Sequence, residues 1–429
     1  VNENGEDIDA GVYYIKVLFF DSSNQECIGE EKIEIVVIDA KLPPQTLKYT
    51  NWFHCDCLAD THNVEIFSDK FFKIMRSYIT LAANNGMNMI MLPAFTPPLD
   101  TTPGRERKTA QLVKIEQIGD TYAFDFSLMK RYIEVCRECG IENFEHNHLF
   151  TQWGAEYAPK IMATVDGEYK RIFGWETEAT SEKYIGFLKS YFGELKKFIS
   201  DMKLENNIMF HISDEPGPNT ILGYMNAKNI VTEEMKDFIF FDALSNFTYY
   251  KEGYVQLPIV AVNSPEMDDF VASCDDYWVY HTSAEVTDNS SSNLISVPSA
   301  RNRVIGIQMY VGGAKGFLHW GFNYCYGLLS HGVFNPSLNP CGYFQRAGAS
   351  YSVYPDINGE AIPSLRMKVF YEAINDYRAL QKLETLIGRE LTLEFIKENA
   401  GIVNYKYSPT NEELFNLRQK INEEILKNI

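Results

Sequence analysis

NIMFHISDEPGP, residues 207–218, reads as a buried strand with an abrupt polar end. Ile208 to Ile212 is an apolar run of strand length. Asp214 and Glu215 follow, and Pro216, Gly217 and Pro218 then stop the strand. The same design recurs along the chain. YTNWFHC (49–55), MNMIMLPAF (87–95), IENFEHNHL (141–149), FIFFDAL (238–244), LPIVAVN (257–263), YWVYHT (277–282) and GFLHWGF (316–322) are further short apolar runs. Nearly every one ends in polar or aromatic residues. Helical patterns separate several of them. SDKFFKIMRSYITLAANNG has Ser68 as an N-cap and Gly86 as a stop, SEKYIGFLKSYFGELKKFISDM repeats apolar residues at helical spacing, and SLRMKVFYEAINDYRALQKLETLI begins just after Pro363. Eight strands with intervening helices predict an α/β fold, a (β/α)8 barrel of the TIM type. The alternative, an open doubly wound sheet, is disfavoured because no Gly-rich phosphate fingerprint follows an early strand. In a barrel the C-terminal strand ends converge on one face, where the active site sits.

Working outward, residues 1–42 read as the C-terminal part of a β-sandwich domain. GVYYIKVLFF and EKIEIVVIDA are strand-like and joined by the polar turn DSSNQE. AKLPPQ (40–45) makes a linker, with Pro43 and Pro44 opposing regular structure. The barrel is assigned 43–387, and 388–429 form a C-terminal helical extension. DNSSSN (288–293) reads as a loop.

The chain has 429 residues and a net charge of −19, which repels nucleic-acid backbones and anionic membranes. No nucleic-acid partner and no membrane insertion are therefore expected, and no stretch approaches ~20 apolar residues. The 26 Tyr and 28 Phe supply a large core and enough rings to line a groove. The start, VNENGEDIDA, carries neither the basic segment nor the apolar stretch of a signal peptide. Eight scattered cysteines make no disulfide framework and fit a reducing compartment somewhat better than an oxidising one, so a cytoplasmic location is slightly favoured. Cys136 and Cys139 form a lone CxxC within a helical pattern, without a second pair to complete a zinc site.

Adjacent acids carry no signal by themselves, since 58 acids in 429 positions give about eight such pairs by chance and eight occur. Position is what marks Asp214 and Glu215. Neighbouring strand residues point to opposite sides, so both reach one pocket only if the backbone turns between them. Pro216 is expected to hold Glu215 in extended or polyproline geometry, and Gly217 and Pro218 help the chain leave the sheet. Two carboxyls in one apolar-walled site cannot both ionise easily, so one pKa is expected to rise, and a protonated carboxyl is a general-acid candidate. The competing reading is a helix-capping Asp beside a solvated Glu.

With WFHCDCLAD (52–60), LPAFTPPLDT (92–101), HISDEP (211–216) and GFLHWGFN (316–323), the chain resembles glycoside hydrolase family 123 over roughly residues 11–385. The resemblance implies a retaining β-N-acetylgalactosaminidase that uses substrate assistance and acts on glycans or glycoconjugates with a terminal β-linked N-acetylhexosamine. It places the catalytic pair on Asp214, which holds the 2-acetamido group, and Glu215, the acid and base. Adjacency fits this chemistry better than a two-sided displacement, in which carboxyls ~5 to 5.5 Å apart flank the bond.

Substrate-binding candidates follow from their strand ends. Trp320 is a candidate floor under the sugar, Tyr280 and His281 are candidate partners of the acetamido group or hydroxyls, and Trp153 and Trp175 are candidates for outer subsites. His54, Asp56, His146, His148 and Asn323 are candidate hydroxyl binders. His146 and His148, two apart on a strand, are expected on one face. With Asp56 or His54 they imitate a metal site, but the implied mechanism needs no metal or cofactor, and none is expected. Arg105, Glu106 and Arg107 are expected in a long loop with rim salt bridges. Two alternatives stand beside the hexosaminidase. One is a glycosidase for another sugar with a protein nucleophile, Asp242 or Glu145 opposing Glu215; the other is a non-catalytic carbohydrate-binding protein.

Overall fold

The computed structural model describes residues 8–105, 107–282, 289–342 and 346–429. The first seven residues, Glu106 of the expected rim loop and Asp288 of the serine-rich loop lie outside the described residues.

Eight strands form one parallel sheet: Lys48–Asn51, Met89–Leu92, Asn143–His146, Ile208–Phe210, Phe241–Ala243, Leu257–Ala261, Trp278–Tyr280 and Gly316–His319. Seven lie within the runs marked in the sequence, and the first begins one residue before its run. In chain order they are barrel strands 1 to 8. Strand 1 pairs with strands 2 and 8, and neighbours pair in sequence around the ring. The seam between strands 4 and 5 is closed by a single parallel bridge, Phe210 to Phe240. The sheet is thus a nearly closed (β/α)8 barrel of the TIM type.

Period-2 alternation divides the apolar residues into two layers. Met89 and Met91, Phe241 and Ala243, Leu257 and Ile259, and Trp278 and Tyr280 pack with Trp52 and Leu318 inside the barrel. The intervening Ile90, Leu92, Val260, Val279 and Phe317 join the larger core beneath the helices. Gly316 is required where strand 8 passes Trp278, because a Cβ there would meet the indole at 2.1 Å. Helix signals also hold. Ser68 Oγ accepts from Phe71 N–H at the start of Asp69–Asn84, and Gly86 (φ +89°) turns the chain out of it. Ser364 caps Leu365–Ile387 in the same way.

Three additions surround the barrel. Gly11–Phe20 and Cys27–Val37 form an antiparallel two-stranded sheet. Helices Arg389–Ala400 and Asn411–Lys427 bury Ile396, Leu414, Leu417, Ile421 and Ile425 in the outer core. A four-stranded sheet was not anticipated. Its hairpins are Lys114–Ile118 with Thr121–Asp125, after strand 2, and Ile161–Val165 with Glu168–Phe173, after strand 3. The second turns through Asp166 and Gly167 at φ +52° and +83°, the signs of a primed hairpin turn.

Candidate active site

A pocket opens at the C-terminal ends of the barrel strands. Trp52 and His54 follow strand 1, Leu99 and Asp100 strand 2, and Gln152 and Trp153 strand 3. Asp214 and Glu215 follow strand 4. Ala243 ends strand 5, Tyr280 and Thr282 come from strand 7, and Leu318, Trp320 and Tyr324 from strand 8. Apolar and aromatic walls thus enclose three carboxyls, the composition expected of a sugar site.

Asp214 and Glu215 share this pocket because the backbone reverses hand at Glu215, which sits at φ +41°. The expectation that Pro216 keeps Glu215 extended is corrected here. A left-handed φ at a non-glycine residue is strained and persists where the surroundings impose it. They do so here. Trp153 N–H donates to the Asp214 carbonyl at 3.0 Å, and Ser213 Oγ donates to the Thr151 carbonyl at 2.7 Å. The following helix, Ile221–Glu234, packs so closely on the loop after strand 3 that a Cβ at Gly223 would lie 2.5 Å from the Gly154 carbonyl oxygen. Tyr280 OH donates to Glu215 Oε1 at 2.5 Å. Glu215 is exposed, whereas Asp214 is half-buried. Burial, followed by the charges of Glu215 and Asp242, holds the Asp214 carboxyl well above the ordinary aspartate range.

Beneath the pair lies a buried ionic floor. His211 Nε2 meets Glu145 Oε2 at 2.9 Å and its Nδ1 meets Asp242 Oδ1 at 3.0 Å. Burial alone would lower the imidazole, but the two carboxylates raise it to about 9, so it is an imidazolium at neutral pH. Phe241 stacks on one side of the ring at 4.2 Å, and His148 also stacks on it at 4.5 Å. Burial and the His211 charge keep His148 neutral. Asp242 also accepts from the Ile212 N–H at 3.1 Å, from the Ser213 N–H at 3.4 Å and from Tyr224 OH at 2.7 Å. It therefore clamps the two peptides that lead into Asp214. Glu145 additionally accepts from Thr50 Oγ1 and, at 3.2 Å, from Trp52 Nε1.

His148, His211 and Asp242 bring donor atoms within 4.8 Å of one another, which invites a metal reading. The two rings lie 12° from parallel, so their in-plane lone pairs run side by side instead of converging, and both His211 nitrogens are already engaged. The charged arrangement is the ion triad of Glu145, His211 and Asp242, with neutral His148 stacked on it.

Arg107 anchors a second wall. It is 5% exposed and packs against the rings of both Tyr324 and Tyr326. Its guanidinium donates to Asp56 at 2.7 and 2.6 Å, to His54 Nδ1 at 3.0 Å and to the Leu99 carbonyl at 3.2 Å. This corrects the expectation of a rim salt bridge. His54 donates through Nε2 to the Trp320 carbonyl at 2.9 Å, and burial with the Arg107 charge lowers it to about 3, so it stays neutral.

Of the residues singled out in the sequence, Asp214, Glu215, Tyr280, Trp320, His54 and Trp153 line the pocket together. The others lie elsewhere. Asp56 is buried against Arg107. Asn323 brackets the His54 backbone, its Oδ1 accepting from the His54 N–H at 2.8 Å and its Nδ2 donating to the carbonyl at 3.1 Å. His281 is fully buried against Phe317 and His319. Trp175 is half-buried after the second accessory hairpin. His146 and His148 do not share a face. His146 bonds Tyr191 on the outer helix layer at 2.8 Å, whereas His148 stacks on His211. Strand 3 ends at His146, so alternation no longer governs His148.

Trp52, Asp100, Gln152, Thr282 and Tyr324 line the pocket but were not singled out. Trp52 and Thr282 did stand in the quoted strand runs, and Asp100 in LPAFTPPLDT, one of the stretches that carry the family resemblance. Gln152 and Tyr324 sit in loops without periodicity and had no such signal.

The family model for the catalytic domain of glycoside hydrolase 123 matches residues 52–383. The fold is similar to that of a family 123 glycoside hydrolase from Clostridium perfringens, solved to detail glycolipid glycan hydrolysis. The TM-score is 0.71 at 14% identity, over 98% of this chain and 75% of that one. More distant likenesses include a β-galactosidase from Rahnella sp. R3, with TM-score 0.44 at 10% identity over 79% and 58% of the two chains. Another is a family 5 mannosidase from Rhizomucor miehei, with TM-score 0.40 at 11% identity over 82% and 94%. No curated protein matches the chain.

Proposed function

The chain belongs to glycoside hydrolase family 123, and from that premise we propose that it is a retaining, exo-acting β-N-acetylgalactosaminidase working by substrate assistance. The supporting observation is that Asp214 and Glu215, adjacent in sequence, line one pocket, while Glu145 and Asp242 are 0% exposed and committed to His211. Neither buried acid faces the pocket, which supports substrate assistance over a displacement by Asp242 or Glu145.

In the proposed reaction the acetamido oxygen attacks the anomeric carbon as the glycosidic bond breaks. Glu215 gives its proton to the departing oxygen. Asp214 accepts from the acetamido N–H and stabilises the oxazolinium intermediate. Water then attacks the same carbon, losing its proton to Glu215, and the second inversion restores the configuration. Trp52 and Trp320 offer apolar surface to the sugar ring.

The test is nitrophenol release from β-linked N-acetylgalactosaminide, N-acetylglucosaminide and plain galactoside, by wild type and Glu215→Gln. Turnover confined to acetamido sugars and lost in the variant supports the proposal. Turnover of plain galactoside sinks substrate assistance.

A further inference from the structure

We propose that Asp100 is a specificity-determining residue that holds a ring hydroxyl of the sugar and rejects anionic substituents on it. This rests on the pocket being a hexosaminide site. Asp100 belongs to LPAFTPPLDT after strand 2, and no step of the proposed reaction uses it. It lines the same pocket as Glu215 from a different strand.

Its position is determined from several directions. The Asp100 N–H donates to Gln152 Oε1 at 2.7 Å. Its carbonyl accepts from Ser330 Oγ at 2.9 Å. Tyr324 OH donates to its Oδ2 at 2.6 Å, and the Leu329 N–H also reaches the carboxylate. Asp100, Leu329 and Ser330 have φ values of +45°, +53° and +60°. Two loops, after strands 2 and 8, thus both adopt left-handed backbone to fix one carboxylate, a concentration of strain of the kind found at binding sites.

The chemistry of the carboxylate decides what it recognises. Two oxygens carry about four acceptor positions, and two donors leave capacity for more. Sugar hydroxyls are donors, and a charged acceptor makes the stronger hydrogen bond. Arg107 lies nearby, but its guanidinium is committed to Asp56, His54 and the Leu99 carbonyl. Among the described residues, the pocket lining holds three acids and no lysine or arginine. A sulfated or uronic ring would enter against like charge, and a sulfate on the hydroxyl held by Asp100 would also remove the donor.

The experiment compares wild type and Asp100→Asn on the nitrophenyl N-acetylhexosaminide that wild type turns over, on its 3-, 4- and 6-deoxy analogues, and on its sulfate esters. Asparagine tolerates left-handed backbone and keeps an acceptor for Tyr324. On the parent sugar the variant is expected to lose about 10- to 100-fold in kcat/KM. Wild type is expected to lose a similar factor on one deoxy analogue, and the variant little more on that analogue. The sulfate at that position is expected to be refused by wild type and better tolerated by the variant. Unchanged activity on the parent overturns the proposal, as do losses that multiply on all three analogues. An inactive variant rescued by azide also overturns it, by making Asp100 a covalent nucleophile. Should the variant not fold, wild-type tolerance of all three deoxy sugars overturns the proposal, and one selective loss with Tyr324→Phe blunting it supports it. Turnover of plain galactoside by wild type fails the hexosaminidase reading separately, and the Asp100 comparison then proceeds on that sugar.

Discussion

His211 and Asp242 meet through Nδ1 and Oδ1 at 3.0 Å with 1% and 0% exposure, and Glu145 holds the other ring nitrogen. Two buried carboxylates therefore share one cation. Removing that cation leaves both acids uncompensated, the costly way to break a buried pair. His211→Gln is expected to lose about 3–5 kcal/mol in urea unfolding. Its pH dependence separates charge from packing. The folded His211 is raised to about 9, above its ordinary 6.5. Its contribution is therefore complete below about 6.5 and is lost as pH climbs through about 9. The wild-type advantage over His211→Gln should shrink across that interval; a constant gap would mean that only packing was lost.

Asp214 has the opposite effect on the fold. Burial and neighbouring acids raise its carboxyl, so the folded state favours the proton. Stability linked to that proton is present at low pH and is lost as pH rises through the raised value. Asp214→Asn mimics the protonated form. It should be more stable than wild type at neutral pH, by about 1 kcal/mol, with the gap closing below pH 4. Activity on acetamido sugars should fall sharply. Thermal melts at pH 7 and pH 4, with parallel assays, check both arms.

The barrel was legible because apolar runs of strand length, punctuated by proline, glycine and polar residues, report buried parallel strands directly. All eight runs overlap a barrel strand. The paired pocket acids were legible for the same reason, since Asp214 and Glu215 mark where one run stops. The loops were less so. Asp100, Gln152 and Tyr324 converge through contacts between the ends of strands 2, 3 and 8, which no local pattern encodes. The accessory hairpin at Asp166-Gly167 did carry its turn dipeptide, and that signal went unused. Arg107 was misplaced because a charged residue in a polar stretch reads as solvated until its partner, Asp56, is brought 51 positions nearer.

Tyr280 offers a narrower test of the pair. Its hydroxyl donates to Glu215 Oε1 at 2.5 Å from strand 7, fixing a carboxylate that stands on strained backbone. Tyr280→Phe keeps the ring and deletes the donor. A loss of about 10- to 100-fold in kcat is expected, with global stability changed by only about 1 kcal/mol. Steady-state kinetics beside a denaturation curve separate the two. An unchanged kcat would show that Glu215 needs no such support.

Arg107 places the opposite wall under a different constraint. Its guanidinium joins Asp56, His54 and the Leu99 carbonyl while packing against Tyr324 and Tyr326. His54, Leu99 and Tyr324 all line the pocket, so one buried cation sets three of its surfaces. Lysine has neither the planar fork nor enough donors for this geometry. Arg107→Lys is therefore expected to destabilise by about 3 kcal/mol and to lower kcat/KM, and Arg107→Met to do more. The double variant Arg107→Met with Asp56→Leu removes both charges together. It should recover much of the lost stability, because neither charge is then left buried alone, yet it should not recover activity, because His54 and Tyr324 lose their anchor. Recovery of activity together with stability would show that Arg107 serves the fold alone.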